Sequence, residues 1–317
     1  MLAAGQERDD IMDSKTGGGA AGAAGWDGVT LALFAACLAL WGAGLALYTT
    51  APLLAVALLV PALVLHSSLS HELLHGAPVP SARAGTLLGL VQPGLAVPYL
   101  RFRRLHLAHH RDANLTDPYD DPEANYLDPG VWAGLPGWQR RLLRANNTLA
   151  GRMVLGPAIG QWAFVRGDLA ALRRGDRQVL GDWLAHLPGV ALVLVLVSAA
   201  GMPVWVYLAV CYAALGVLKI RSFLEHRAHV RASARTVIVE DRGPLALLFL
   251  NNNYHVVHHM HPQVPWHRLP ALYRAERSRF LRRNGGYVYR SYGQIFRAHL
   301  WRTKDPVAHP LWPGAGE

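Results

Sequence analysis

The chain has 317 residues, of which 52% are hydrophobic, and it carries 31 basic against 21 acidic side chains, a formal net charge of +10. A basic soluble or nucleic-acid-binding protein would distribute Lys and Arg throughout, whereas long stretches of this chain have neither. A membrane protein with a cationic face is therefore favoured over a soluble enzyme with an unusually apolar core. The two cysteines, Cys37 and Cys211, lie in apolar stretches, which argues against a disulfide framework or a cysteine metal site.

In chain order, residues 1–25 come first and are rich in Gly, Ala and Asp. They lack an apolar core flanked by basic residues, so we predict a disordered tail and not a secretory signal. Four apolar stretches follow that are long enough to cross a hydrocarbon core of about 30 Å. These predicted spans cover residues 28–48, 51–70, 184–201 and 203–220. The shorter stretches 85–100 and 153–165 are expected to lie at the interface or on the polar domain.

Charge predicts the orientation of the spans. The connections 49–50 and 201–203 contain no Lys or Arg, whereas residues 101–183 contain twelve Arg and the chain after 220 contains fourteen. By the positive-inside rule, both polar segments and both termini are expected in the cytoplasm. Arg outnumbers Lys by 28 to 3, a bias typical of GC-rich bacterial genomes, so a bacterial inner membrane is the expected location.

These observations predict an all-α integral membrane protein. Four transmembrane helices form two hairpins, and a cytoplasmic helical cap holds a histidine-rich di-metal site. Residues 26–300 are predicted to form one domain, followed by a C-terminal tail over residues 301–317.

Ten of the sixteen histidines fall into four clusters, all predicted on the same membrane face. The clusters are HELLH (His71, His75), HLAHH (His106, His109, His110), EHRAH (His226, His229) and HVVHH (His255, His258, His259). Neutral imidazole is the commonest metal ligand in proteins, and histidines at i, i+3 and i+4 share one face of a helix. Eight to ten imidazoles are too many for one ion, so we expect two.

Other interpretations remain open at this point. HELLH matches HExxH, in which two histidines bind zinc and the glutamate, here Glu72, acts as the general base of a protease. A protease of this kind would leave the other clusters unexplained. Taken singly, each cluster could also be a set of interfacial histidines or surface ion pairs. A metal transporter or sensor would need polar groups within the spans, where only His66 and His186 are obvious candidates.

The ligand type alone does not choose among zinc, copper, nickel and iron. Iron is preferred because non-haem iron can activate O₂ to attack an unactivated C–H bond, a task suited to a site beside apolar chains. No haem motif, cysteine-rich cluster or dinucleotide-binding glycine loop occurs in the sequence. Electrons would therefore come from an external donor, and the basic face would suit an acidic protein or anionic lipid headgroups.

The three boxes HELLH, HLAHH and HVVHH, in this order and with these spans, resemble the membrane fatty-acid desaturase and alkane-hydroxylase superfamily. The resemblance covers roughly residues 50–275, and NNNYHVVHHMHPQVPWHRLP (251–270) looks especially like bacterial acyl desaturases. It implies a non-haem di-iron centre, O₂, an acyl-lipid or fatty acyl substrate in a tunnel, and a ferredoxin-, rubredoxin- or cytochrome-like donor. The implied reaction is acyl desaturation, with hydroxylation as the alternative.

The resemblance implies nine metal ligands: His71, His75, His106, His109, His110, His226, His255, His258 and His259. His226 stands where the family has a further histidine after its fourth span, and His229 is an additional ligand or an outer group. Glu72 stands in the first box where many desaturases have Asp and many hydroxylases have Glu. This difference leaves the reaction outcome open. The groups close enough in sequence to orient the imidazoles are Asp112, Asp117, Asp120, Asp121, Glu225 and Asn252.

Overall fold

The computed structural model describes residues 27–76, 79, 81–110 and 115–312. The helices are, in chain order, α1 (Gly28–Ala46), α2 (Pro52–Leu74), α3 (Ala82–Leu90), α4 (Tyr99–His109), α5 (Pro129–Gly134), α6 (Gly137–Asn146), α7 (Leu149–Val154), α8 (Gly156–Arg173), α9 (Arg177–Ala199), α10 (Val204–Ser222), α11 (Pro244–Leu248), α12 (His255–Met260), α13 (Leu269–Ala275), α14 (Arg277–Arg283) and α15 (Tyr292–His299). Two short strands, β1 (Ile238–Val239) and β2 (Val288–Tyr289), pair in parallel. The predicted tail over residues 1–25 lies outside the described residues.

The prediction of four helices that could cross a membrane is confirmed for the described residues, because α1, α2, α9 and α10 are long and apolar enough to span. Two bounds differ from the sequence-based ones by four residues or more. Helix α2 continues to Leu74, so His71 lies inside its last turn. Helix α9 begins seven residues before the predicted span, since the Asp176 side chain caps it by accepting from the N–H groups of Gln178 and Val179.

Helices α1 and α2 pack along each other, and α2 also packs against α10. The close approach of α1 depends on Gly44, where an added Cβ would lie 2.7 Å from Leu59 Cγ. Leu59 is fully buried and belongs to a core that α10 completes with Tyr207 and Cys211. Helix α2, which ends in the first histidine box, is therefore fixed from two sides.

The segment 91–98 between α3 and α4 is not helical, yet side chains of other helices satisfy its backbone. The carbonyl oxygens of Pro93, Leu95 and Ala96 accept from Tyr207 Oη at 2.8 Å, His186 Nε2 at 2.9 Å and Gln161 Nε2 at 2.8 Å. Irregular backbone needs such partners when it packs inside a protein. These contacts fix where α4, which carries the second histidine box, begins.

The chain after α10 forms only short elements in its described part. Part of the segment predicted as a C-terminal tail packs beside the loop that precedes α5. Leu127 N–H donates to the Val307 carbonyl and His309 N–H donates to the Leu127 carbonyl, so residues 307–309 run beside residue 127 as a strand would. Val307 and His309 are buried.

Candidate metal centre

Nine histidines lie in two adjacent groups in the described part of the chain. In each group the candidate ligand atoms all lie within 4.8 Å of one another. The five-histidine group comprises His71, His75, His106, His110 and His258. The four-histidine group comprises His109, His226, His255 and His259. The structure thus brings together all nine histidines that the sequence singled out as ligands.

The two HxxHH boxes divide between the groups in opposite ways. The i, i+4 pair of α4, His106 and His110, belongs to the five-histidine group, and His109 belongs to the other. The i, i+4 pair of α12 belongs to the four-histidine group, and His258 crosses to the five-histidine group. Consecutive helical residues are about 100° apart around the axis, so i+3 and i+4 lie on the same broad face as i but on opposite flanks of it. One HxxHH box can therefore serve two sites.

The five-histidine group has the spacing of a metal site. His110 Nε2 lies 2.9 Å from His106 Nε2 and 3.2 Å from His258 Nε2. Two imidazole nitrogens held about 2.1 Å from one ion at a right angle would lie about 3.0 Å apart. The Nε2 atoms of His71 and His75 are buried and have no hydrogen-bond partner among the described residues. Buried polar atoms are costly without a partner, and a metal ion would supply one.

The four-histidine group repeats this spacing. Nε2 of His226 lies 3.0 Å from that of His109 and 3.2 Å from that of His255. Nε2 of His255 lies 3.1 Å from that of His259. Four imidazoles whose Nε2 atoms converge at these distances fit a second ion.

Two carboxylates orient the imidazoles of the second box. His106 Nδ1 donates to Glu123 Oε1 and His109 Nδ1 donates to Asp121 Oδ1, both at 2.8 Å. A proton held on Nδ1 leaves the Nε2 lone pair free to face a metal. Asp121 was among the residues considered from the sequence, whereas Glu123 was missed, because it lies 17 residues from His106 in a loop without periodic pattern.

Two predicted outer groups, Glu225 and Asn252, act together on the third box. His255 Nδ1 donates to Asn252 Oδ1 at 3.1 Å, and Asn252 Nδ2 donates to Glu225 Oε1 at 3.2 Å. Glu225 also pairs with Arg221 Nε at 3.2 Å. The carboxylate therefore reaches His255 mainly through the amide, since its own oxygen is 3.9 Å from Nδ1.

Glu72 connects the first box with the segment after the third. Its Oε2 accepts from the backbone N–H of Trp266 at 3.2 Å, and its Oε1 lies 3.6 Å from His71 Nδ1. The side chain is buried. Its carboxylate is thus engaged on the Nδ1 side of His71, away from the unpartnered Nε2 atom of that ring.

Two predicted residues in the described part of the chain are not placed in the site. Asp117 accepts from the N–H groups of Tyr119 and Asp120 and so shapes its own turn. His229 belongs to neither group, and its Nδ1 accepts from the N–H of Arg231 at 3.0 Å. Asp112 lies outside the described residues.

The third-box imidazoles are held neutral. Burial, and then the neighbouring His226, keep the pKa of His255 well below its ordinary value. Burial, and then His75, do the same to the pKa of His258. Neutral rings keep the lone pair that a metal needs.

His109 differs in its electrostatics. Burial favours its neutral form, but the charge of Glu123 and the hydrogen bond to Asp121 outweigh burial and raise its pKa to about 9. The pocket around His109 therefore favours positive charge, which a bound cation would supply in place of the proton.

Comparison with known proteins agrees with this geometry. Residues 45–291 match the family described as fatty acid desaturase. The chain belongs to the fatty acid desaturase family. A beta-carotene ketolase of Paracoccus sp. (strain N81106 / MBIC 01143) is 28% identical over 218 residues, which cover 64% of this chain and 71% of that protein. A beta-carotene ketolase of Paracoccus sp. (strain PC1) is 30% identical over 214 residues, with the same coverage.

Membership in the desaturase family accounts jointly for the apolar helices and the histidines. Family and relatives indicate an oxidoreductase, and the four apolar helices indicate an integral membrane protein. The desaturase match begins near the end of α1 and stops at residue 291, so the segment beyond α15 lies outside it.

Proposed function

We propose that the protein is an O₂-dependent, non-haem di-iron oxidoreductase that oxidises an unactivated C–H bond of a long apolar lipid. The observation that carries this proposal is the pair of adjacent groups of five and four imidazoles. Zinc sites favour four-coordinate tetrahedral geometry, whereas five converging nitrogens suit an ion of higher coordination number. The desaturase family membership supports the same assignment.

The five-histidine group would hold one iron and the four-histidine group the other. Two irons with O₂ would supply an oxidant strong enough to remove hydrogen from a methylene group. The protein's own side chains do the remaining work. Glu123 and Asp121 hold the Nδ1 protons of His106 and His109, which keeps the Nε2 atoms directed inward. Burial of His71, His109 and His258 excludes water from the reacting atoms.

A small cavity of about 60 Å³ lies between α2, α10 and the segment 91–98. It is too small to enclose an acyl chain, so it is the character of its lining that supports an apolar substrate. Most of its lining is apolar, with His66, Ser67 and Gln92 as the polar exceptions. Its α2 lining residues precede His71 by only one to two turns, which suits an acyl chain passing beside the histidines.

Acyl desaturation is the reaction that we favour. Two hydrogens leave neighbouring methylene carbons, and one O₂ is reduced to two waters with two electrons from an external donor and two protons from solvent. The substrate would be an acyl-lipid or a fatty acyl group. The donor would be a ferredoxin-, rubredoxin- or cytochrome-like protein that recognises the Arg-rich face.

C–H oxygenation is the second candidate. Here one oxygen atom enters the substrate and the other leaves as water, with the same electron demand. The two beta-carotene ketolase relatives and Glu72 in the first box favour this outcome. An HExxH zinc protease is not proposed, because His71 and His75 share their group with three further imidazoles and Glu72 binds the Trp266 N–H.

We also propose the location predicted from the charges. The four spans would form two hairpins in a bacterial inner membrane, with both termini and a cap that holds the histidines in the cytoplasm. The absence of Lys and Arg from the connections 49–50 and 201–203 supports this orientation.

Expression in a host that lacks the activity, followed by mass spectrometry of total lipids and metal analysis of the purified chain, tests the proposal. New double bonds with about two irons per chain support desaturation, and hydroxy or keto products support oxygenation. One zinc without iron, or an unchanged lipid profile in an iron-loaded preparation supplied with a reductant, would contradict both.

A further inference from the structure

The C-terminal segment beyond the family match reaches the four-histidine group. Lys304 Nζ donates to the backbone carbonyl of His226 at 2.6 Å. The Lys304 side chain is only 7% exposed and lies 3.5 Å from Asp305 Oδ2. An ammonium group is costly to bury without partners, so this placement is a specific arrangement and not a solvated surface contact.

The neighbouring Asp305 extends the contact. Tyr126 Oη donates to the Asp305 carboxylate and accepts from the N–H of Ala228 at 2.9 Å. The Asp305 carbonyl accepts from Asn147 Nδ2 at 2.6 Å, and the Lys304 N–H donates to the Asn147 carbonyl. Lys304 therefore holds the backbone at residue 226 directly, and Asp305 holds the backbone at residue 228 through Tyr126.

A second path leads from the same segment to His109. His309 Nε2 lies 3.2 Å from Thr116 Oγ1, and the N–H of Thr116 donates to Asp121 Oδ2 at 2.8 Å. The other oxygen of Asp121 accepts from His109 Nδ1. Two of the four histidines in this group therefore depend on contacts with residues 304–309.

His226 needs such support because no helix positions it. It follows the end of α10 in irregular backbone, where it also forms an isolated bridge to Thr236. The members of the five-histidine group lie on α2, α4 and α12 or directly at their ends. A shift of the 226–228 backbone would therefore displace the ring of His226 and leave the five-histidine group in place.

We propose that Lys304 is a positioning residue, which fixes His226 through its carbonyl and thereby sets the metal affinity of the four-histidine group. The inference rests on the proposed function only in that both groups bind metal. It assigns to the segment after the desaturase match a role in completing the site.

The test is a cobalt(II) titration of the full-length, metal-free protein in detergent, followed by its visible absorption. Lys304→Met is expected to weaken the affinity of about half of the bound cobalt by roughly 10- to 100-fold and to leave the rest unchanged. Arg302→Met removes the same charge from an exposed side chain two residues away and is expected to match the wild type. Lys304→Arg keeps a donor and is expected to lie closer to the wild type than Lys304→Met.

Tyr126→Phe provides a second variant that buries no new charge and removes the contacts to Asp305 and Ala228 together. It should show the same selective loss, at smaller size. Unchanged cobalt binding in Lys304→Met, or equal weakening of both groups in monodisperse Lys304→Met and Tyr126→Phe, overturns the inference. A wild type with neither iron nor lipid product contradicts the proposed function instead, because the cobalt comparison does not depend on either.

Discussion

The two histidine groups have similar spacing but are built differently. In the five-histidine group, His71, His106 and His258 lie on helices, while His75 and His110 cap two of them. The four-histidine group takes His226 from irregular backbone and relies on Asp121, Asn252 and the C-terminal segment. Every member of the first group lies on a helix or at its end, whereas the second group also needs irregular segments that are distant in sequence. Damage to distant contacts should therefore affect the second group first.

The largest expected effect comes from removing a ligand. His258→Ala takes one imidazole from the five-histidine group and should abolish product, with bound metal falling by about half. Lipid mass spectrometry and metal analysis measure the two effects. His229→Ala is the matched control, because this histidine lies outside both groups, and it should retain activity. Full activity of His258→Ala would show that the assignment of this ligand is wrong.

The next largest effect is expected from neutralising the carboxylates that orient the second box. Asp121→Asn should reduce the metal affinity of the four-histidine group by about 10- to 100-fold, because a buried carboxylate loses its charge beside His109. Glu123→Gln should act on the five-histidine group, and less strongly, since Glu123 has 31% of its side chain exposed against 1% for Asp121. Metal titration of each variant checks this order.

Asp117→Asn is the control for both variants, because its carboxylate accepts only from nearby backbone N–H groups among the described residues. If Glu123→Gln left the five-histidine group unchanged, the role assigned to the Glu123–His106 contact would be incorrect.

Chelation should distinguish the groups without mutation. The four-histidine group offers one imidazole fewer and takes His226 from irregular backbone, so we expect a chelator to remove its metal about tenfold faster. The measurement is the time course of metal release, which should have two phases. A single phase that accounts for all the metal would show that the groups are equivalent.

The smallest effect is expected from Glu72→Gln. The amide oxygen can still accept from the Trp266 N–H, so the link between α2 and the segment after α12 persists, and activity should fall by less than about tenfold. Glu72→Ala removes the link and should cost more. A loss in Glu72→Gln as large as in His258→Ala would assign Glu72 a direct chemical role, and activity assays of the three variants decide the question.

Much of the candidate site was predictable from the sequence. The four spans follow from apolar stretches that must exclude charge, and they agree with α1, α2, α9 and α10 within a few residues, except at the start of α9. The nine histidines predicted as ligands are the nine that converge, because imidazoles at i, i+3 and i+4 project from the same broad face of a helix and so reach neighbouring points. The family was identified from the same three boxes and is confirmed.

The positions of outer groups could not be predicted in the same way. Asp117 and Asp121 occur in one short acidic stretch, yet only Asp121 meets a histidine. No sequence periodicity marked Glu123 or Lys304 as part of the site. Both residues reach it from loops whose conformation depends on the rest of the fold.

The sequence by itself indicated which histidines converge and which helices are apolar enough to cross a membrane, since both depend on patterns within one helix. Only the tertiary structure decided how the ligands divide. His258 joins His71 and His75, His109 joins His226, and residues 304–309 complete the second group. Which histidines share a group depends on how separate elements pack against each other, and the local sequence does not specify that packing.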